Sequence, residues 1–132
     1  MMKQVSMMKR RPGLSMAEFI DQYENGHARL GEALFPKARR LVRRYVEPQK
    51  NPLTGDMAEL DFDVILEIWW DSRADFEEAM AALATNPDAV AAASASGARI
   101  FAQGTNPACT VVEYDSDMGM DGTGVQAAAC AR

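Results

Sequence analysis

Apolar and polar residues alternate most cleanly along Phe62 to Trp70. That pattern puts Phe62, Val64, Leu66, Ile68 and Trp70 on one face of a strand and Asp63, Ile65, Glu67 and Trp69 on the other. The first face is entirely apolar and needs a full cover, most simply helices. Met2 to Lys9 reads as an earlier strand, with Val5 and Met7 on one side and Gln4, Ser6 and Met8 on the other, before Pro12-Gly13 turns the chain. Ser15 and Glu18 form an S-x-x-E capping box. Phe19, Tyr23, His27, Leu30 and Leu34 then recur three and four residues apart, as one stripe of a helix that Gly26 or Gly31 bends or ends.

Ala38 to Val46 is a further strand by its Leu41, Val42, Tyr45 and Val46, and Pro48 to Leu60 a loop broken by Pro52 and Gly55. Asp71-Ser72 caps a helix to about Ala84 that is amphipathic by Phe76, Ala79, Met80 and Leu83. Asn86-Pro87 opens an Ala-rich helix to about Ser96, read as packing rather than a lid, and Ala108 to Tyr114 is the last strand. The order β-α-β-β-α-β predicts an α+β, ferredoxin-like domain over residues 1–115, with an antiparallel sheet and helices on one face. Residues 116–132 lack periodicity and are expected to be a disordered tail.

Charge sharpens this picture. The chain carries a net −5, but residues 1–50 hold 11 Lys and Arg against 5 Asp and Glu, and the remainder 3 against 14. Lys37, Arg39, Arg40, Arg43, Arg44 and Lys50 could form an anion patch. The stretch has no interleaved aromatic platform for nucleic acid, so pairing with Asp63 and Glu67 of the neighbouring strand is the better reading. Cys109 and Cys130 have no CxxC spacing and only one histidine to help them, so neither a disulfide framework nor a zinc site follows. Met1 to Arg11 is too polar for a signal peptide, and no stretch of about 20 apolar residues spans a membrane. A soluble, cytoplasmic protein is expected.

His27 is the single histidine and the one side chain whose ordinary pKa lets it exchange protons easily near neutral pH. Tyr23 stands one helical turn before it. The pair could act as a general base and a hydroxyl donor at the edge of an apolar cavity. The plainer reading is that both cap the core with satisfied polar tips, that Trp69 and Trp70 pack into a core or interface, and that Glu67 only pairs with an arginine.

Lys9-Arg10-Arg11-Pro12-Gly13-Leu14-Ser15, followed by Phe19, Tyr23 and His27 at four-residue steps, resembles the opening of EthD-type proteins of the dimeric α+β barrel superfamily. Leu66-Glu67-Ile68-Trp69-Trp70-Asp71-Ser72 resembles that family's second signature. The likeness spans roughly residues 2–115. It departs where members carry a proline shortly after the histidine and this chain has Arg29, which would set a cation beside the pocket and lower the basicity of His27.

The resemblance implies a homodimer whose two sheets close a barrel, with a cavity for a small hydrophobic or aromatic molecule between sheet and helices in each protomer. It also implies a cofactor-independent enzyme acting by proton abstraction on an aromatic or polyketide-like compound, of cyclase, dehydratase or lyase type, or one in the catabolism of ethers or aromatics. His27 and Tyr23 would be catalytic, and Phe19, Arg29, Phe62, Glu67, Trp69 and Trp70 would contact substrate. The alternatives are a non-catalytic dimer that binds a hydrophobic metabolite and a cofactor-free monooxygenase. No metal, organic cofactor, nucleic acid or membrane is called for.

Overall fold

Among the described residues four antiparallel strands form one sheet in the order β2-β3-β1-β4: β1 is Met2–Met8, β2 Arg40–Tyr45, β3 Val64–Trp70 and β4 Ala108–Thr110. This is the ferredoxin-like arrangement. It is seen in a computed structural model that describes residues 1–104 and 106–119. Pairing Met8 with Val64 and Tyr45 with Val64 turns Met8, Leu41, Arg43, Tyr45, Val64, Leu66, Ile68 and Trp70 to the same side. Helices cover that face, and Val64, Ile68 and Trp70 are buried on it.

Phe62, expected to open β3, lies outside the strand. The ladder ends where Asp63 turns to the chain leaving β1: its N–H donates to Met8 O at 2.8 Å and its carboxylate accepts from the Arg10 N–H at 2.9 Å. The Arg10 and Lys9 side chains stand within 4 Å of the same carboxylate. Asp63 therefore pairs with cations following β1 and not with strand β2.

The capping box forms as its spacing demands. Ser15 Oγ accepts from Glu18 N and Glu18 Oε1 from Ser15 N, each at 3.1 Å. Helix α1, Met16–Gln22, passes through a π-helical turn at Tyr23–His27 straight into α2, Ala28–Leu34. Gly26 lies within the widened turn and does not end the helix. Ser72 caps α3, Arg73–Ala84, by accepting from Asp75 N, and Asn86 caps α4, Pro87–Ile100, by accepting from Ala89 N. Helix α4 runs one turn beyond the expected Ser96, because Ile100 and the following Phe101 are anchored in the core. Tertiary burial there outweighs the weak helix propensity of Ser96-Gly97. Strand β4 holds only three of the seven expected residues: beyond Thr110, Val112 and Tyr114 are almost fully exposed. Most of the expected tail, from Met120 on, lies outside the described residues.

Candidate active site

The core beneath the helices is aromatic. Phe19 and Tyr23 are buried and meet each other edge to face with ring centres 5.9 Å apart, while Phe101 closes on Tyr23 at 5.5 Å and on His27 at 5.3 Å. Tyr23 and His27 are themselves 5.5 Å apart. The π-helical turn shapes what points inward here. Successive residues advance through a smaller angle in that wider turn, so Tyr23, Glu24, His27 and Ala28 share a narrower arc than a regular helix would give them.

The half-buried His27 is held from α4, where Ser96 Oγ lies 2.9 Å from Nδ1. That contact leaves Nε2 as the free ring nitrogen. Burial disfavours the imidazolium and lowers the pKa of His27 below its ordinary value, so the ring is neutral at pH 7. Burial also raises the Tyr23 phenol well above its usual range, which keeps its hydroxyl protonated.

Glu24 receives a fork from β2: Arg43 Nε donates to one carboxylate oxygen at 2.7 Å and Nη2 to the other at 2.9 Å, while the Tyr45 hydroxyl donates at 2.5 Å. The bonds from Arg43 hold the Glu24 carboxyl below the ordinary carboxylate range. Burial, then the bond to Glu24, raises the Tyr45 phenol. Arg43 thus reaches the pocket as a fixed cation whose charge Glu24 balances.

Among the described residues three hollows border His27, one of them of about 320 Å³ between Asn25, Ser96 and Arg99. An inner one of about 100 Å³ lies against the sheet, walled by Tyr23, Arg43, Leu41, Leu66, Ile68 and Leu83. An outer one of about 620 Å³ opens along α4 past Ala93, Gly97 and Phe101 toward Gln103 and Asn106. Such a site offers a neutral imidazole, a protonated phenol and a guanidinium around an apolar floor.

Phe19, Tyr23 and His27 follow one another along the inner helix face as the spacing predicted, but Phe19 is fully buried behind Tyr23 and lines none of the hollows. The other expected contacts do not join them. Glu67 and Trp69 project from the opposite face of β3: Glu67 pairs with Arg44 and accepts from the Trp69 indole N–H, and Trp69 lies beneath Lys3 and Arg40. Trp70 is on the helix side but fully buried between Phe35 and Phe76. Phe62 lies beyond the end of β3. Arg29 is exposed and turned to Glu32 and the Glu24 carbonyl, so burial and not an added cation lowers the His27 pKa.

Sequence reasoning missed Glu24, Arg43, Tyr45 and Ser96. Alternation along β2 could have found two of them, because Leu41, Arg43 and Tyr45 share a parity that Leu41 marks as the apolar side. Nothing local marks Ser96. Among the described residues no group of three or more His, Cys, Asp and Glu side chains could hold a metal ion, and no helix is long and apolar enough to cross a membrane.

Residues 11–94, which carry the capping box, the π-helical turn and β3, match the EthD domain family. The chain belongs to that family. No curated protein matches this EthD chain. Its fold is similar to that of At3g17210 from Arabidopsis thaliana, 13% identical, with a TM-score of 0.58 over 89% of this chain and 99% of that one. A mutant of SnoaB from Streptomyces nogalater, described as a cofactor-independent oxygenase, is 15% identical with a TM-score of 0.50 over 87% of this chain and 94% of its own. A dimeric ferredoxin-like protein of unknown function from Thermobifida fusca YX is 13% identical with a TM-score of 0.50, over 85% and 90% of the two chains.

Proposed function

We propose that this EthD domain, taken as residues 1–115, is a cofactor-independent enzyme that abstracts a proton from a carbon next to a carbonyl in a small aromatic or polyketide-like compound. The observation that carries this is the neutral His27, in contact at Nδ1 with Ser96 Oγ and set between the inner and outer hollows. In the tautomer whose Nδ1–H donates to Ser96 Oγ, Nε2 is bare and takes the proton, the C–H electron pair moves into the carbon–carbon bond of an enolate, and the carbonyl oxygen becomes the oxyanion. The protonated Tyr23 hydroxyl and the Arg43 guanidinium are the donors available to that oxygen. Phe101 packs on the imidazole and is backed from the core by Phe19, so a charge formed there meets few competing waters. The enolate carbon then attacks a second carbonyl of the same molecule, closing a ring whose alkoxide takes the proton back from the imidazolium, or the enolate expels a β-hydroxyl that leaves as water with that proton.

The proposal includes a homodimer. Among the described residues no helix covers the sheet face bearing Ile65, Glu67 and Trp69, and an isologous contact would cover it. The dimeric Thermobifida protein of similar fold supports that reading.

Hydrogen–deuterium exchange at the acidic carbon of aromatic 1,3-diketones, followed by proton NMR, tests the chemistry without knowledge of the final product. The wild-type chain should speed exchange above buffer and His27→Gln should lose about 10²–10⁴ of that rate. Exchange that survives His27→Gln within about threefold overturns the base role. A second reading, a cofactor-free oxygenase, takes its support from SnoaB, since the same base would generate an electron-rich anion from a phenol. Oxygen consumption that depends on His27, without exchange of any diketone, would favour it.

A further inference from the structure

Gly97 sits inside α4 beside Ser96, and a glycine there weakens a helix relative to alanine. Such a residue usually has a packing reason, a neighbour too close for a Cβ. Gly31 has one, because its Cβ would stand 3.2 Å from Leu41 Cδ2. Gly97 has none: a Cβ would meet Phe101 Cδ2 at 3.4 Å and His27 Cε1 at 3.7 Å, both ordinary contact distances. The methyl that would fit, and would favour the helix, is nevertheless missing.

The space left bare borders the 620 Å³ hollow on one side and the imidazole on the other. Cε1 is the ring carbon between the two nitrogens. With Nδ1 engaged by Ser96, the free nitrogen attached to that carbon is Nε2. Ser96 and Gly97 are consecutive on α4, so one residue holds the ring and the next leaves its edge uncovered.

We propose that Gly97 is a specificity-determining residue: its absent side chain is the opening through which a ligand in the outer hollow reaches His27. The proposal rests on the reading of His27 as the reactive group. An opening one methyl deep suits the edge of a flat conjugated carbonyl compound, with its polar substituents toward Gln103 and Asn106.

Diethyl pyrocarbonate, a small acylating probe of neutral imidazole, tests this on the full chain, with the His27 peptide quantified by mass spectrometry. Gly97→Ala should raise the melting temperature by about 2–5 °C while slowing His27 modification several-fold. Gly97→Leu should slow it by tenfold or more. An unchanged rate in a cooperatively melting Gly97→Leu protein overturns the proposal and places access on the side lined by Asn25 and Arg99. Should the leucine variant not fold, a stabilised Gly97→Ala protein that reacts as fast as wild type has the same force. A wild-type His27 that resists the probe altogether also overturns it. Failure of the base role is read separately, by diketone exchange that survives His27→Gln while Gly97→Leu still slows modification.

Discussion

Arg43 and Arg44 are neighbours in the chain and each meets a glutamate, yet they stand on opposite faces of the sheet. Arg43 keeps 14% of its side-chain surface exposed and locks Glu24 through two hydrogen bonds under the helices; Arg44 keeps 50% exposed and meets Glu67 on the open face. The inner pair is screened from water, joined by Tyr45, and borders the hollow beside His27. The outer pair shares its surface with Trp69, whose ring lies under Lys3 at 3.8 Å and under Arg40 at 4.5 Å. One peptide unit of alternation therefore turns the same residue pairing into part of a pocket on one side and part of a covering surface on the other. Coulomb attraction grows as water is excluded, but so does the penalty when one partner is lost.

Removing one partner on each side separates the two pairs. Glu24→Ala strands a largely buried guanidinium and should cost about 2–4 kcal/mol in urea unfolding, toward the low end for buried pairs because Glu24 stays one-third exposed. Arg44→Ala removes a half-exposed guanidinium and leaves Glu67, 17% exposed, still accepting from the Trp69 N–H, so it should cost less, about 1 kcal/mol. Equal losses would show that burial does not separate the two pairs.

The outer face makes its own demand. Trp69→Ala should weaken dimerisation by about 30-fold or more, read by sedimentation over a concentration series. Monomeric wild-type protein at micromolar concentration would remove the homodimer from the proposal.

The smallest effect concerns His27. Its folded pKa lies below the unfolded value, so the unfolded chain binds the proton first as pH falls. The neutral ring's contribution is complete above about pH 6.5 and is lost as pH drops through the folded value. Thermal melts from pH 8 to 5 should show this decline in wild type and less of it in His27→Gln. Glu24 acts in a separate, more acidic window: its carboxyl is held low, so its contribution is present above the ordinary glutamate range and is lost as pH falls through the folded value.

Much of the fold was legible because its signals are local. The S-x-x-E box, Ser72 and Asn86-Pro87 each supply a side chain that satisfies helix N–H groups a few residues away, and all three helix starts stand where those residues put them. Alternation in Val64–Trp70 separated the covered face from the open one, since a strand has no other way to divide its side chains. The site was legible only in part. Phe19, Tyr23 and His27 share one helix, and spacing along a helix is a distance in space. Glu67 and Trp69 were drawn toward the pocket by their place in the sequence, while strand parity sends them the other way.

What the chain determined by itself is the order of elements, their caps and the helical stripe that ends in a single histidine; each depends on hydrogen bonds and periodicities within about one turn of helix or one strand. The company that histidine keeps comes from the packing of whole elements. Ser96 reaches Nδ1 across 69 positions, and Glu24 meets Arg43 and Tyr45 across about 20. The wider π-helical turn brings Glu24 further inward, and the burial of Ile100 and Phe101 carries α4 past its weakest helix formers. Contacts of that kind follow from how whole elements pack, because the energy that selects them belongs to surfaces meeting in space and leaves no periodic mark on either segment.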